Sequence, residues 1–251
     1  MKISKQSVQL VDNMGTDLSV VNAARVSFDK ESSWEYLPLP EDEQCHCNAW
    51  NSSECACGNY ENTEQEVLSE KDKKLIKYLA EHNHWSPFSH TSVSLRIKAP
   101  IFSARQCAKH QVGGAWNEVS RRYVDSEPEF YFPSAYRLRA ENKKQGSSDV
   151  EVDLNKSIAC PRSLTLLALK QYELLLKAEV CPEQARMILP QNTMTEWIWT
   201  GSVYFFSRVC NLRLDPHAQL EVQEVAKLIS DVIRPLYPES WKVLVDDKQK
   251  A

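Results

Sequence analysis

Residues 91–124 read TSVSLRIKAPIFSARQCAKHQVGGAWNEVSRRYV, and this stretch decides what kind of fold the chain adopts. Over Thr91 to Lys98 the apolar Val93, Leu95 and Ile97 alternate with the polar Ser92, Ser94, Arg96 and Lys98. A period of two marks a strand with one buried face. Pro100 then suits the first turn of a helix, because its fixed φ and missing N–H cost nothing there. The pattern turns helical over IFSARQCAKHQ, residues 101–111, until Gly113-Gly114 breaks it. A strand running straight into a helix, flanked by further helical segments, predicts an α+β fold.

Working outward, TDLSVVNAARVS at 16–27 reads as a helix capped by Thr16 or Asp17, with Val20, Val21 and Ala24 as its apolar stripe. KDKKLIKYLAEHNH at 71–84 is a second helix, with Leu75, Ile76 and Leu79 inward. Between them, 29–70 is acidic and aperiodic, carries Pro38, Pro40 and two Cys-x-Cys pairs, and behaves as an insertion. Beyond the central stretch, EFYFP at 129–133 is a candidate strand and 140–160 a second loop insertion. The remainder reads as helical: Ser163 to Val180, then Pro182 to Leu189. Thr193 and Glu196 have capping-box spacing, which predicts a helix over MTEWIWTGSVYFFSRVC, residues 194–210. Asp215-Pro216 is expected to open the last long helix, HAQLEVQEVAKLISDVI. No internal repeat is present, so residues 1–251 form one domain with two loop insertions.

Composition bounds the function. Thirty basic against thirty-four acidic residues give a net charge of −4, which argues against coating nucleic acid but not against binding one nucleotide through local arginines. The six glycines spell neither G-x-G-x-x-G nor a P-loop, so side chains must hold any phosphate. The N-terminal stretch lacks a secretory apolar region, and no run approaches the roughly 18 apolar residues of a membrane span. The expectation is a cytoplasmic protein, with its eight cysteines reduced or metal-bound. Cys107, Cys160, Cys181 and Cys210 sit in apolar or helical contexts and read as buried structural thiols.

Chemistry concentrates in the central stretch. Gln106, Lys109 and His110 are spaced to share one helix face, with Arg105 and Gln111 beside it. Asn117, Glu118, Ser120, Arg121, Arg122 and Tyr123 follow within a few residues. Two readings are open: a solvated, salt-bridged face, or the lining of a cleft. Ile101, Phe102, Ala104 and Ala108 favour a helix embedded in core with its polar face in a cleft.

The run KAPIFSARQCAKHQVGGAWNEVSRRYV resembles the signature region of flavin-dependent thymidylate synthases, the ThyX family. That family's motif is written R-H-R-x7-S; here Lys109-His110-Gln111 is followed by eight residues and Ser120. Four more segments resemble the family in the same order: 10–28, HNHWSPFSHTSV at 82–93, EQARMILPQN at 183–192 and NLRLDPHAQLEVQ at 211–223. The resemblance implies an antiparallel sheet packed with helices, and a homotetramer with active sites shared between subunits. It also implies FAD as cofactor and conversion of dUMP to dTMP, with 5,10-methylenetetrahydrofolate as carbon donor and NADPH as reductant.

Position by position, the resemblance implies that Gln106, Glu118, Ser120, Arg121, Arg122 and Arg186 hold dUMP. Arginine forks suit a 5′-phosphate. Arg213 matches the arginine that stabilises ionised uracil N3 and so enriches the carbon to be alkylated; a helix C-terminal cap is its structural alternative. Ser120 is expected to hydrogen-bond substrate, not to attack it. Ser86, Lys109, His110, Gln111 and Glu118 match flavin-contact positions, and His84 a family active-site histidine. Arg208 stands where many members carry an asparagine contacting FAD, and Ser202 and Tyr204 replace a common asparagine and arginine. With Lys-His-Gln for Arg-His-Arg, one fork and one charge are lost, which weakens FAD binding without changing the reaction class.

In the first insertion Cys45, Cys47, Cys55 and Cys57 surround His46, and four thiolates suit tetrahedral zinc, the alternative being an acidic loop with reduced thiols. Lys143 and Lys144 of the second either attract a folate glutamate tail or are simply solvated. Two other functions compete with dTMP synthesis: transfer of a hydroxymethyl group on the same scaffold, and a non-catalytic nucleotide-binding or metal-loop interaction protein. Retention of Ser120, Arg122, Arg186 and Arg213 together disfavours the second.

Overall fold

The computed structural model describes residues 1–38, 64–141, 147–154 and 159–249. In chain order it shows strands β1 (Lys2–Ile3) and β2 (Ser7–Met14), helix α1 (Asp17–Arg25), strands β3 (Glu35–Pro38) and β4 (Glu64–Val67), and helix α2 (Glu70–Glu81). Next come β5 (Ser92–Pro100), α3 (Ile101–Cys107), β6 (Gly114–Glu118), β7 (Glu129–Phe130), β8 (Tyr136–Arg139) and β9 (Ser147–Val152). The C-terminal part contains α4 (Pro161–Lys177), α5 (Pro182–Ala185), β10 (Met194–Gly201), α6 (Val203–Arg213), α7 (Leu220–Ile233), α8 (Pro238–Trp241) and α9 (Asp247–Gln249). No helix among the described residues is long and apolar enough to cross a membrane.

The alternation at 91–98 becomes β5, an inner strand of a four-stranded antiparallel sheet of order β2-β5-β10-β6. Val93, Leu95, Ile97 and Ala99 are wholly buried on one face. In register beside them on β10 stand Trp197 against Ile97 and Trp199 against Leu95. Trp116 of β6 stacks on Trp197 with ring centres 4.4 Å apart. Helices cover this face with Val20 and Val21, Ile76, Phe206 and Val209, and the α7 stripe Val222, Val225, Ile229 and Ile233. The opposite face is polar, and Arg96 pairs there with Glu196. A smaller core of Phe130, Leu169, Tyr172 and Ala185 joins α4 and α5 to β7.

The helix expected over 194–210 is two elements. Met194–Gly201 is a strand, and a helix starts only at Val203. MTEWIWTG buries Met194, Thr195, Trp197, Trp199 and Gly201, so a period of two set by β-branched and aromatic residues overrides the cap-like spacing. Thr193 Oγ1 donates to Pro190 O at 2.7 Å instead of capping, and Ser202 is the true N-cap, accepting from Phe205 N at 3.1 Å. Asp215-Pro216 likewise forms a separate turn, with Asp215 Oδ1 accepting from His217 N at 2.7 Å. The last long helix opens later, at Gln219.

β10 must turn sharply into α6, and the Phe205 ring folds back over the sheet to make that turn. It lies against Gly114 and Gly201, which face each other across β6 and β10. A Cβ added at Gly201 would fall 2.3 Å from Phe205 Cδ1, and one at Gly114 2.5 Å from Phe205 Cζ. Only hydrogen fits at either position.

The described parts of the first insertion form a pair of strands. β3 pairs antiparallel with β4, from Glu35 against Val67 to Pro38 against Glu64. Behind this pair Asp72 ties the two ends of the segment to α1 and α2. Its Oδ1 accepts from Arg25 Nε and Ser32 Oγ, both at 3.0 Å, and its Oδ2 from Ser69 Oγ at 2.8 Å. The second insertion, expected as loop, contains β9, which pairs with β8 immediately before it. Cys45, Cys47, Cys55 and Cys57 lie outside the described residues, as do Lys143 and Lys144. Of the other cysteines, Cys107 and Cys210 are buried as expected, but Cys160 and Cys181 are exposed, because they precede helices and stand outside the apolar stripes.

Candidate active site

α3 and α6 bring their C-terminal ends together, and there the site begins. Arg213, the last residue of α6, donates from Nε to His110 Nε2 at 3.1 Å and from Nη2 to the Gln106 carbonyl at 2.8 Å. That carbonyl lies in the last turn of α3 and also accepts from Lys109 N at 3.4 Å, so Arg213 adds a charged donor at the C-terminal end of a neighbouring helix, not of its own. A guanidinium can only donate, so His110 must accept at Nε2 and carry its proton on Nδ1. Burial, with Arg213 and Arg208 adding repulsion, pushes the imidazole down from 6.5 to about 4, so it is neutral near pH 7. The Cys107 thiol below is pushed up to about 12 by burial, with Arg213 opposing, and is inert.

A second group surrounds a cavity of about 770 Å³ lined by Arg105, Glu118, Arg121, Glu183, Arg186 and Thr195, among others. Glu118 is oriented by Thr195 Oγ1, which donates to it at 2.6 Å, and by Trp116 Nε1 at 3.3 Å. Arg121 is spent on the Ser126 carbonyl at 2.8 Å, and Arg186 on the Glu183 carbonyl at 3.3 Å. Among the described residues no carboxylate forms an ion pair with Arg105, Arg121 or Arg186, so three cations and two carboxylates, Glu118 and Glu183, line the cavity without pairing. Such a cavity suits an anion with several oxygens. Beside it the Ser120 hydroxyl accepts from Arg122 N and Nε, both at 3.3 Å, and Arg122 lies over the Tyr123 ring.

The flavin-contact candidates are more scattered. Lys109, Gln111, Arg208 and Ser86 are exposed, Ser86 opening the short turn Pro87–His90. His84 sits just past α2, its ring 5.9 Å from Tyr78, and Trp85 next to it approaches Tyr204 of α6 at 6.2 Å. Thus Gln106, His110 and Arg213 are joined by hydrogen bonds, and Glu118, Arg121 and Arg186 share one cavity. No described contact joins the first set to the second. Sequence reasoning gave no role to Thr195, which orients Glu118, nor to Gln219, whose Oε1 accepts from Gln106 Nε2 at 2.7 Å.

A neutral imidazole accepting from an arginine and an arginine-lined cavity on a mixed α/β frame suit an enzyme that takes an anionic substrate. Residues 9–239 match the family described as thymidylate synthase complementing protein, and the chain belongs to that family. It is 34% identical over 239 residues to the flavin-dependent thymidylate synthase of Thermus thermophilus, covering 95% of this chain and 75% of that one. It is 32% identical over 245 residues to that of Thermosipho africanus, covering 97% and 92%. Among solved structures, the UMP/dUMP methylase PolB from Streptomyces cacaoi bound with 5-Br dUMP is similar, with a TM-score of 0.72 and 27% identity over 97% of this chain and 96% of that one.

Proposed function

We propose that the protein is a flavin-dependent thymidylate synthase that converts dUMP to dTMP, with FAD as cofactor, 5,10-methylenetetrahydrofolate as carbon donor and NADPH as reductant. The observation that carries this reading is Arg213, fixed on His110 and the Gln106 carbonyl with Nη1 left over. An oriented cation of this kind favours the ionised form of a uracil ring and raises electron density at the carbon that receives the new bond. The cavity of Arg105, Arg121 and Arg186 holds the 5′-phosphate, and Ser120 and Glu118 supply further hydrogen bonds to the nucleotide.

The residues present fit a flavin dinucleotide. Lys109 and Arg208 offer charge for a pyrophosphate, Ser86 offers a hydroxyl without a described partner, and His110 offers its Nδ1 proton. Flavin, when bound, supplies the redox chemistry of the reaction. The protein's part is to bind both partners, keep the imidazole uncharged and hold the uracil anion. His84 is assigned to the active site by its match to a family active-site histidine. The two residue groups come together when subunits assemble as a homotetramer. Leu164, Leu167 and Leu174 of α4, all more than half exposed, support that assembly by leaving an apolar helix face uncovered. The expected setting is the cytoplasm.

The test is anaerobic incubation with FAD, NADPH, methylenetetrahydrofolate and dUMP, with the product identified by mass. A dTMP mass is expected. A hydroxymethyl product would replace methyl transfer with the competing chemistry, and no conversion with flavin bound would sink the enzymatic reading. UMP is assayed beside dUMP because the similar Streptomyces protein is a methylase of both.

A further inference from the structure

Behind Gln106 a chain of hydrogen bonds runs away from the site across two other elements. Gln106 Nε2 donates to Gln219 Oε1 at 2.7 Å, and Gln219 Nε2 donates to Glu221 Oε2 at 2.8 Å. Glu221 Oε1 accepts from Arg137 Nη2 at 3.1 Å. Gln219 is the N-cap residue of α7 and Glu221 lies in its first turn, while Arg137 belongs to β8.

We propose that Glu221 is a positioning residue for nucleotide binding: held by Arg137, it fixes through Gln219 which end of the Gln106 amide faces the ligand. The inference rests on the reading that Gln106 holds dUMP. An amide can meet a neighbour with either its donor or its acceptor end, but a carboxylate facing it can only accept. Glu221 already takes a proton donor from Arg137 on one oxygen, so its other oxygen must take one from Gln219. That forces Gln219 to turn its oxygen toward Gln106, and Gln106 in turn to donate. The Gln106 Oε1 is left with no hydrogen-bond partner among the described residues, a fixed acceptor beside Arg213, whose Nη2 binds the same residue's carbonyl.

The site therefore presents a matched pair, an acceptor from Gln106 and a donor from Arg213. The acceptor takes a hydroxyl donor of the nucleotide, which in dUMP is the sugar 3′-hydroxyl, because a ring N3 ionised beside Arg213 keeps no proton to donate. Without the relay the amide turns over freely, and half of its orientations set donor against donor. Glu221 is itself buried and Gln219 exposed, so the link can be broken at Gln219 without disturbing the core.

The experiment titrates dUMP into FAD-loaded, full-length protein and follows the flavin spectrum for the wild type, Gln219→Ala, Glu221→Gln, Gln106→Ala and Gln106→Ala with Gln219→Ala. Loss of the fixed acceptor should weaken dUMP about tenfold in Gln219→Ala and in Glu221→Gln, with bound FAD unchanged. In the Gln106→Ala background, Gln219→Ala should cost nothing more, because residues acting through one another are not additive. Wild-type affinity in Gln219→Ala, or the same tenfold loss without Gln106, overturns the relay. If wild-type protein fails to bind dUMP, the substrate reading falls and the relay with it; unaffected variants of a protein that does bind dUMP remove the relay alone. Repeating the titration with 2′,3′-dideoxyuridine monophosphate identifies the donor. The tenfold loss should disappear with this ligand, which lacks the 3′-hydroxyl, and its persistence would overturn the assignment of that hydroxyl to the Gln106 acceptor.

Discussion

His110 shows how one side chain can be read from a sequence in type but not in state. Its place in Lys109-His110-Gln111 marks it as chemically interesting, yet its protonation depends first on burial and then on Arg213, 103 positions away. The structural consequence is testable by pH. In the unfolded chain the imidazole titrates near 6.5, and in the folded protein burial and two arginines lower it to about 4. As pH falls through this interval the unfolded state binds more protons than the native one, so stability declines on acidification and is fully present only above 6.5. The thermal midpoint should fall between pH 6.5 and 5 in the wild type, and His110→Asn should flatten that fall. An unchanged slope in the variant would place the lost protons elsewhere. The cysteines teach the converse. Cys107 and Cys210 are legible as buried from their helical stripes, whereas Cys160 and Cys181 look apolar in sequence but fall at helix starts.

Among the elements, the central strand β5 is plain in the sequence because one face is wholly buried and the other wholly polar. Its neighbour β10 is not. Trp197 and Trp199 are as compatible with a helix stripe as with a strand, and the adjoining Thr193 and Glu196 imitate a cap. β2 carries little signal for another reason: as an edge strand with most of its side chains exposed, it needs no apolar alternation. What no local pattern reveals is the packing of Phe205 on Gly114 and Gly201, since the two glycines are 87 positions apart and meet only in the sheet. Gly201→Ala should force the Phe205 ring aside and destabilise the protein by about 1–3 kcal/mol. For a chain of this size that lowers the thermal midpoint by about 2–10 °C. Calorimetry of Gly201→Ala alone and with Phe205→Leu checks it: the smaller side chain should recover part of the loss, and no recovery would assign the damage to the backbone.

For the whole molecule, five ordered segments sufficed to read the fold and family. The geometry of the site was less legible. Arg213 and Arg186 both read as nucleotide ligands, but within one chain they belong to separate groups, one at the α3–α6 junction and one in the arginine cavity. A site completed by a second copy predicts complementation. Arg213→Ala and Arg186→Ala should each be inactive alone, and mixing them under conditions that exchange subunits should restore dTMP formation. Silence of the mixture, with mixed oligomers demonstrated by mass, would confine the site to one chain.

The Asp72 knot has a different kind of reach. It binds the departing and returning strands of the first insertion to each other and to the helical layer before the intervening residues begin. With both ends already fixed, the entropy of closing that segment grows only with the logarithm of its length, about 0.6 kcal/mol per doubling. The position is therefore a tolerant port in the architecture. Evolution, or an engineer, can lengthen, shorten or exchange the passage there, metal-binding or not, while the catalytic frame keeps its register.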